Sequence, residues 1–164
     1  MIPSEENAAE AEAREAGDRP AETRSGDERV LVDSSVWIQY YQPTGRPEHQ
    51  AAVQGVLARD RVGTTAVVLV EVLRGALSLE SYESLEADLT ALHWLGVTSE
   101  VARRAAEIGF GLDRKGMRVP ATDLVIAAAA IEHDYALWHD DGHFEVIARE
   151  SALRQRRMSA RGQG

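Results

Sequence analysis

Acidic residues in four separate segments carry the chemistry open to this sequence. Asp33 closes the apolar run Val30-Leu31-Val32, and Glu71 stands between Val70 and Val72. Asp123 opens an Ala-rich segment, and Asp140-Asp141 follow the run from Tyr135 to His139. Taken singly, each has an ordinary use. Asp33-Ser34-Ser35 suits a turn or helix cap, Glu71 a solvated helix position, Asp123 a first-turn acid favoured by the helix dipole, and Asp140-Asp141-Gly142 a turn. Jointly they say more, because gathered carboxylates repel and are costly unless a cation sits among them. There is no cysteine and no His-Glu-x-x-His spacing, so hard oxygen donors would select Mg²⁺ or Mn²⁺ rather than zinc.

The elements that must position these acids alternate in type. Val30-Leu31-Val32 reads as a short buried strand, and Pro47 opens a helix with Val53, Val56 and Leu57 on one face. Val62-Gly63-Thr64-Thr65 reads as a weak strand running into a Thr65 helix cap. Ala66 to Leu73 is open between strand and helix, with Arg74-Gly75 closing it. Leu79, Tyr82, Leu85, Leu89 and Leu92 step by three and four, as in an amphipathic helix. Leu95-Gly96-Val97 suits a strand, Thr98 caps a helix ending at Lys115-Gly116, and Thr122 caps one running to about His133. Tyr135 to His139 completes the strand set. Strands alternating with helices imply one α/β domain with a mainly parallel sheet, and in such sheets functional groups collect beyond the carboxyl ends of the strands.

At 164 residues one domain is the expectation. Hydrophobic residues make up 44%, enough for a core, and their runs stay short of the roughly 18 apolar residues of a membrane span. The lack of cysteine fits a reducing cytoplasm. The net charge of −9 argues against a nucleic-acid binder, whose usual footprint is basic, but the charge is uneven. Residues 1–28 hold nine acids and three arginines, with no large apolar residue beyond Met1 and Ile2, and read as a disordered acidic extension. Residues 29–148 form the domain, at −7, and residues 149–164 an Arg-rich tail at +4.

The same residues carry a family resemblance. Val30 to Ile38, with Asp33-Ser34-Ser35 at its centre, resembles the opening of PIN-domain ribonucleases of the VapC toxin type. Thr65 to Gly75 resembles their second acidic motif, Val119 to Ala128 their third, and Leu137 to Phe144 their fourth. The similarity runs over about residues 29–148 with the motifs in order. It implies a PIN-like fold, a short mainly parallel sheet between helices in a three-layer α/β/α arrangement, and it reads Ala66–Leu73 as mostly helix. It further implies Asp33, Glu71, Asp123 and Asp141 as the catalytic, metal-binding set, with Ser35 and Asp140 in support. Asp141 rather than Asp140 aligns with the fourth acid, counting back from Phe144. His143 stands where many relatives carry another acid; it reads most simply as a surface histidine, with a less directly held metal or a substrate contact by His143 as the alternatives.

The activity implied is endonucleolytic hydrolysis of RNA by water activated on Mg²⁺ or Mn²⁺, with one ion or two left open. Arg46, Arg74 and Arg118 lie near the motifs and are candidates for phosphate contacts, as is the tail from Arg154 to Arg161. Trp37, Trp94 and Trp138 read as core. The resemblance also implies a cognate antitoxin and a homodimer, for which the apolar face of Leu79–Leu92 is a candidate surface. The alternative is a PIN-like module that holds RNA or protein without cutting, usually marked by loss of one or more of the acids. A haloacid-dehalogenase-like phosphatase fits less well, because Ser35 occupies the position of its second acid.

Overall fold

The structure, a computed structural model, describes residues 27–159. The extension expected over residues 1–28 lies outside the described residues except for its last two. Chain order is β1 (Val30–Val32), α1 (Ser34–Tyr41), α2 (Pro47–Leu57), β2 (Val62–Thr64), α3 (Ala66–Leu73), α4 (Leu79–Thr90) and β3 (His93–Trp94). It continues with α5 (Ser99–Arg114), α6 (Ala121–Glu132), β4 (Ala136–His139), α7 (Gly142–Arg149) and β5 (Gln155–Arg157). The five strands form one all-parallel sheet in the order β3-β2-β1-β4-β5.

Every residue of β1, β2 and β4 is buried, so helices must cover both faces of the sheet centre. That is why β1 and most of β4 read as continuous apolar runs rather than alternating ones, whereas β2, with Gly63 and Thr64, gives a weaker signal. Gly63 sits between β1 and β3 in the sheet. A Cβ there would lie 2.9 Å from the Tyr135 ring and 3.0 Å from Leu95, so only glycine lets both side chains close over β2. The small residues of α6 do the same for helix packing: Ile126 to Ala130 are all at 0% exposure, and Ala128 and Ala129 pack on Val101 and Ala105 of α5.

Ala66–Leu73 is a helix, and the Thr65 hydroxyl caps it by accepting from Val68 N at 3.3 Å. Four expectations change. The third strand is His93–Trp94, two residues before the apolar Leu95-Gly96-Val97; Leu95 marks where the chain dives into the core, whereas Trp94, 52% exposed, is an edge-strand residue rather than core. Trp37 and Trp138 are buried as expected. Thr122 does not cap α6: Pro120 occupies the cap position and Thr122 lies in the first turn. Pro120, with φ fixed at −55°, orients the chain for the helix and leaves the cap without a side-chain hydrogen bond. The stretch expected as a tail from residue 149 instead closes α7 with Arg149 and adds β5, paired in register with β4 from Leu137↔Gln155 to His139↔Arg157. The apolar face of Leu79–Leu92, a candidate contact surface, divides between core and surface. Leu89 is fully buried, while Leu79 and Tyr82 are exposed beside Leu77.

Gly63→Ala forces the Tyr135 ring or Leu95 to shift and is expected to destabilise the fold by about 1–3 kcal/mol. Urea denaturation followed by circular dichroism checks this, with a lower midpoint at unchanged slope as the expected result.

Candidate active site

Parallel strands bring their carboxyl ends to one edge of the sheet. The order of strands reverses at β1, with β2 on one side and β4 on the other, which opens a crevice between the ends of β1 and β4. Asp33 follows β1 directly and caps α1; its carboxylate accepts from the backbone N of Ser35 at 3.0 Å and from the Ser35 hydroxyl. Asp33 N donates to Trp138 O of β4 at 2.9 Å, which locks the two strand ends together. Asp141 plays the matching part after β4, capping α7 and accepting from His143 N at 2.9 Å. Asp123 enters from the first turn of α6 and Glu71 from α3. The Ser34 hydroxyl donates to Glu71 Oε2 at 2.7 Å, fixing that side chain next to Asp33.

The acids thus form two linked groups. Asp123, Asp141 and His143 each offer a donor atom within 4.8 Å of the others. His143 Nδ1 lies 2.9 Å from Asp123 Oδ2 and 3.2 Å from Asp141 Oδ1. Asp33 and Glu71 make up the second group. Burial pushes the Asp33 carboxyl above its ordinary value, against the lowering effect of the Ser35 hydrogen bonds, and the charge of Glu71 adds to the rise. Asp123 is raised as well, first by burial and then by Asp141, with His143 opposing and Asp33 contributing. Ionising either carboxylate therefore carries a cost that a cation would relieve, and an oxygen set joined by one imidazole nitrogen is a donor set that fits a divalent metal.

Asp140 points elsewhere. Its carboxylate accepts from Ser159 N, just past β5, and lies 3.7 Å from Nδ1 of the buried His49 on α2. Its backbone N donates to the Ser35 hydroxyl at 3.0 Å. Asp140 therefore ties the loop bearing Asp141 to α1, α2 and the chain after β5. His49 has no signal in the sequence, because only the packing of α2 brings it to this loop. His143 is not a free surface histidine, and its pairing with Asp123 joins residues 20 apart that no local pattern links. His93, His133 and His139 hydrogen-bond to Asp60 O, Gly96 O and Gln155 Oε1, away from the acids, in keeping with their lack of metal-ligand spacing. Arg46, Arg74 and Arg118 are exposed, and none forms an ion pair with a described residue.

The fold thus defines an all-parallel α/β domain whose acids converge at the carboxyl edge of the sheet. Comparison with known proteins specifies it further. The PIN domain family matches residues 30–150. VapC ribonuclease Mb1587 of Mycobacterium bovis is 32% identical over 131 residues, covering 76% of this chain and 95% of that protein. Among solved structures, VapBC2 from Rickettsia felis bound to a promoter DNA fragment aligns with a TM-score of 0.66 at 17% identity, over 79% of this chain and 98% of that one. VapBC-5 from Mycobacterium tuberculosis, a member of the VapBC family of toxin–antitoxin systems, aligns with a TM-score of 0.57 at 25% identity, over 80% and 98%. The chain belongs to the PIN-domain family and, within it, to the VapC ribonucleases.

The raised carboxylates have a consequence for stability. The folded state holds a proton on Asp33 and Asp123 more tightly than the unfolded chain does, so stability tied to these groups is present at low pH and is lost as pH rises through their folded pKa values. At pH 8 in EDTA, Asp123→Asn is expected to raise the Tm by a few degrees, since each kcal/mol relieved is worth about 2–4 °C in a chain of this size. Mn²⁺ should raise the Tm of the unsubstituted protein and leave that of Asp123→Asn nearly unchanged; differential scanning fluorimetry reads both.

Proposed function

We propose that this chain is a metal-dependent endoribonuclease, the toxin of a type II toxin–antitoxin system, acting on RNA phosphodiester bonds with Mg²⁺ or Mn²⁺ as cofactor. The observation that carries this reading is the convergence of Asp33, Glu71, Asp123 and Asp141 at one sheet edge, with Asp33 and Asp123 raised by burial and by their acidic neighbours. Asp33 and Asp123 act as principal ligands, with Glu71 and Asp141 binding directly or through water. A divalent cation bound there lowers the pKa of water and offsets charge on the phosphoryl oxygens and leaving group.

The chain's own residues do the positioning. Asp33 and Asp141 are held by their capping bonds, Glu71 by Ser34, and the loop of Asp141 by Asp140 and Ser35. Because the carboxylates are set before substrate arrives, no side chain must reorganise as charge develops. Arg46, Arg74 and Arg118 then take the RNA phosphates, contacts that orient the strand without reading its sequence. Residues 29–148 are the nuclease domain in this reading, and its site is cytoplasmic. Among the described residues no helix is long and apolar enough to cross a membrane.

A cognate antitoxin and a homodimer belong to the same proposal. The VapBC-5 neighbour is itself part of a toxin–antitoxin system. On this chain Leu77, Leu79 and Tyr82, at 99%, 72% and 38% exposure, form an apolar strip at the start of α4 that suits a protein contact.

Cleavage of labelled RNA across a Mg²⁺ titration tests the activity. Asp33→Asn keeps the helix cap, since Asn caps as well as Asp, yet removes the charge. Both Asp33→Asn and Asp123→Asn are expected to lose on the order of 10²-fold or more in cleavage rate. Asp140→Asn should be milder than Asp141→Asn. Full activity in Asp33→Asn or Asp123→Asn would overturn the assignment, and binding of RNA without cleavage by the unsubstituted protein would turn the reading to an inactive binding module.

A further inference from the structure

We infer that His143 is a metal-donating residue, and that it shifts the selectivity of this centre from Mg²⁺ toward first-row transition dications. The inference rests on the reading of the acid cluster as a cation site and concerns which cation that site takes.

Three observations lead to it. First, among the described residues the set that brings three potential donors within 4.8 Å of one another is Asp123, Asp141 and His143, so the tightest part of the cluster contains a nitrogen. Second, the ring is aimed inward. Nδ1 faces both carboxylates, at 2.9 Å from Asp123 Oδ2 and 3.2 Å from Asp141 Oδ1, although the side chain is 43% exposed. Third, the backbone from which the ring projects is anchored. His143 is the second residue of α7, and its backbone N donates to the capping Asp141 Oδ1 at 2.9 Å, so the helix start that holds Asp141 also sets where the imidazole begins.

The chemistry follows from ligand type. Mg²⁺ is a hard cation that keeps its waters and takes oxygen donors, so replacing an oxygen by an imidazole nitrogen gains it little. Affinity for a given site rises along the first-row series from Mn²⁺ through Fe²⁺ and Co²⁺ to Cu²⁺, and an imidazole nitrogen favours these ions over Mg²⁺, with Mn²⁺ gaining least among them. Two carboxylates and one imidazole leave further positions for water or substrate oxygens, as a hydrolytic centre requires.

The test uses the full chain stripped with EDTA, and Mn²⁺ as the probe. Electron spin echo modulation of bound Mn²⁺ is expected to show coupling to a ¹⁴N nucleus, lost in both His143→Asp and His143→Ala. Competition of Mg²⁺ against Mn²⁺ should show the Mn²⁺:Mg²⁺ affinity ratio falling on the order of tenfold in His143→Asp, chiefly through weaker Mn²⁺ binding. Circular dichroism confirms that both variants fold; Asp is favoured in a first turn, so His143→Asp is the safer of the two. Mn²⁺ binding that is abolished by Asp123→Asn but shows no ¹⁴N coupling, with an unchanged ratio in His143→Asp, would overturn the role of His143 while leaving the acid site standing. Mn²⁺ binding unaffected by Asp123→Asn, or none at all, would overturn the acid site and this inference with it.

Discussion

Mutual repulsion among half-buried carboxylates is the constraint to which the rest of this structure answers. Asp33 is 4% exposed as a residue and has Glu71 and Asp123 as acidic neighbours, while Asp123 has Asp141. Left to itself such a group would disperse to water. It is held because two of its members are also helix caps. Asp33 begins α1 and Asp141 begins α7, so moving either away from the cluster also uncaps a helix. A helix N-terminus is the place in a fold where a carboxylate is both structurally useful and electrostatically tolerated. Stability and the poised charge of the site are therefore coupled through the same atoms.

The scaffold around the cluster is correspondingly stiff. The ends of β1 and β4 are joined by Asp33 N to Trp138 O, and Asp140 N to the Ser35 hydroxyl adds a second link across the crevice. α6, which carries Asp123, is pressed into the core along Ile126 to Ala130, where small side chains allow close approach to α5 and the sheet. Gly109 of α5 takes part, since a Cβ there would meet the Leu124 side chain at 2.7 Å, next to Asp123 in sequence. The position of the site acids is thus set by backbone and core packing rather than by long flexible side chains.

The overall acidity of −9 looks different once the charge is placed. Part belongs to the extension over residues 1–28, and four of the 17 acids in residues 29–148 are the proposed ligands, whose charge a bound cation offsets. Other acids are spent on local pairs such as Arg104–Glu132 and Arg157–Glu145. Exposed Arg46, Arg74 and Arg118, without partners among the described residues, remain to meet phosphates. RNA recognition on this protein depends on where its positive charges stand, and the net value says little about that.

Much of the fold and the outline of the site could be read from the chain alone, and for physical reasons. A buried parallel strand needs unbroken apolar runs, so Val30–Val32 and Ala136–His139 declare themselves. Thr65 and Thr98 announce their helices because a hydroxyl at the cap position accepts from a first-turn backbone N. Asp33 and the Asp140-Asp141 pair were legible because they follow strand candidates, and Asp123 because it opens a helix; the family resemblance supplied the helical reading around Glu71 and the choice of Asp141. What local pattern could not supply was pairing between distant segments. The edge strand at His93–Trp94 is exposed and lacks an apolar signature, and β5 is Gln-Arg-Arg, a sequence that forms a strand only because β4 offers it an open edge. The approach of His49 to Asp140 and of His143 to Asp123 depends on how α2 and α7 pack. The sequence by itself determined which residues could carry charge to the sheet edge; the tertiary structure decided which of them share one space, because repulsion, hydrogen bonding and metal affinity act over a few ångströms that only the folded chain brings together.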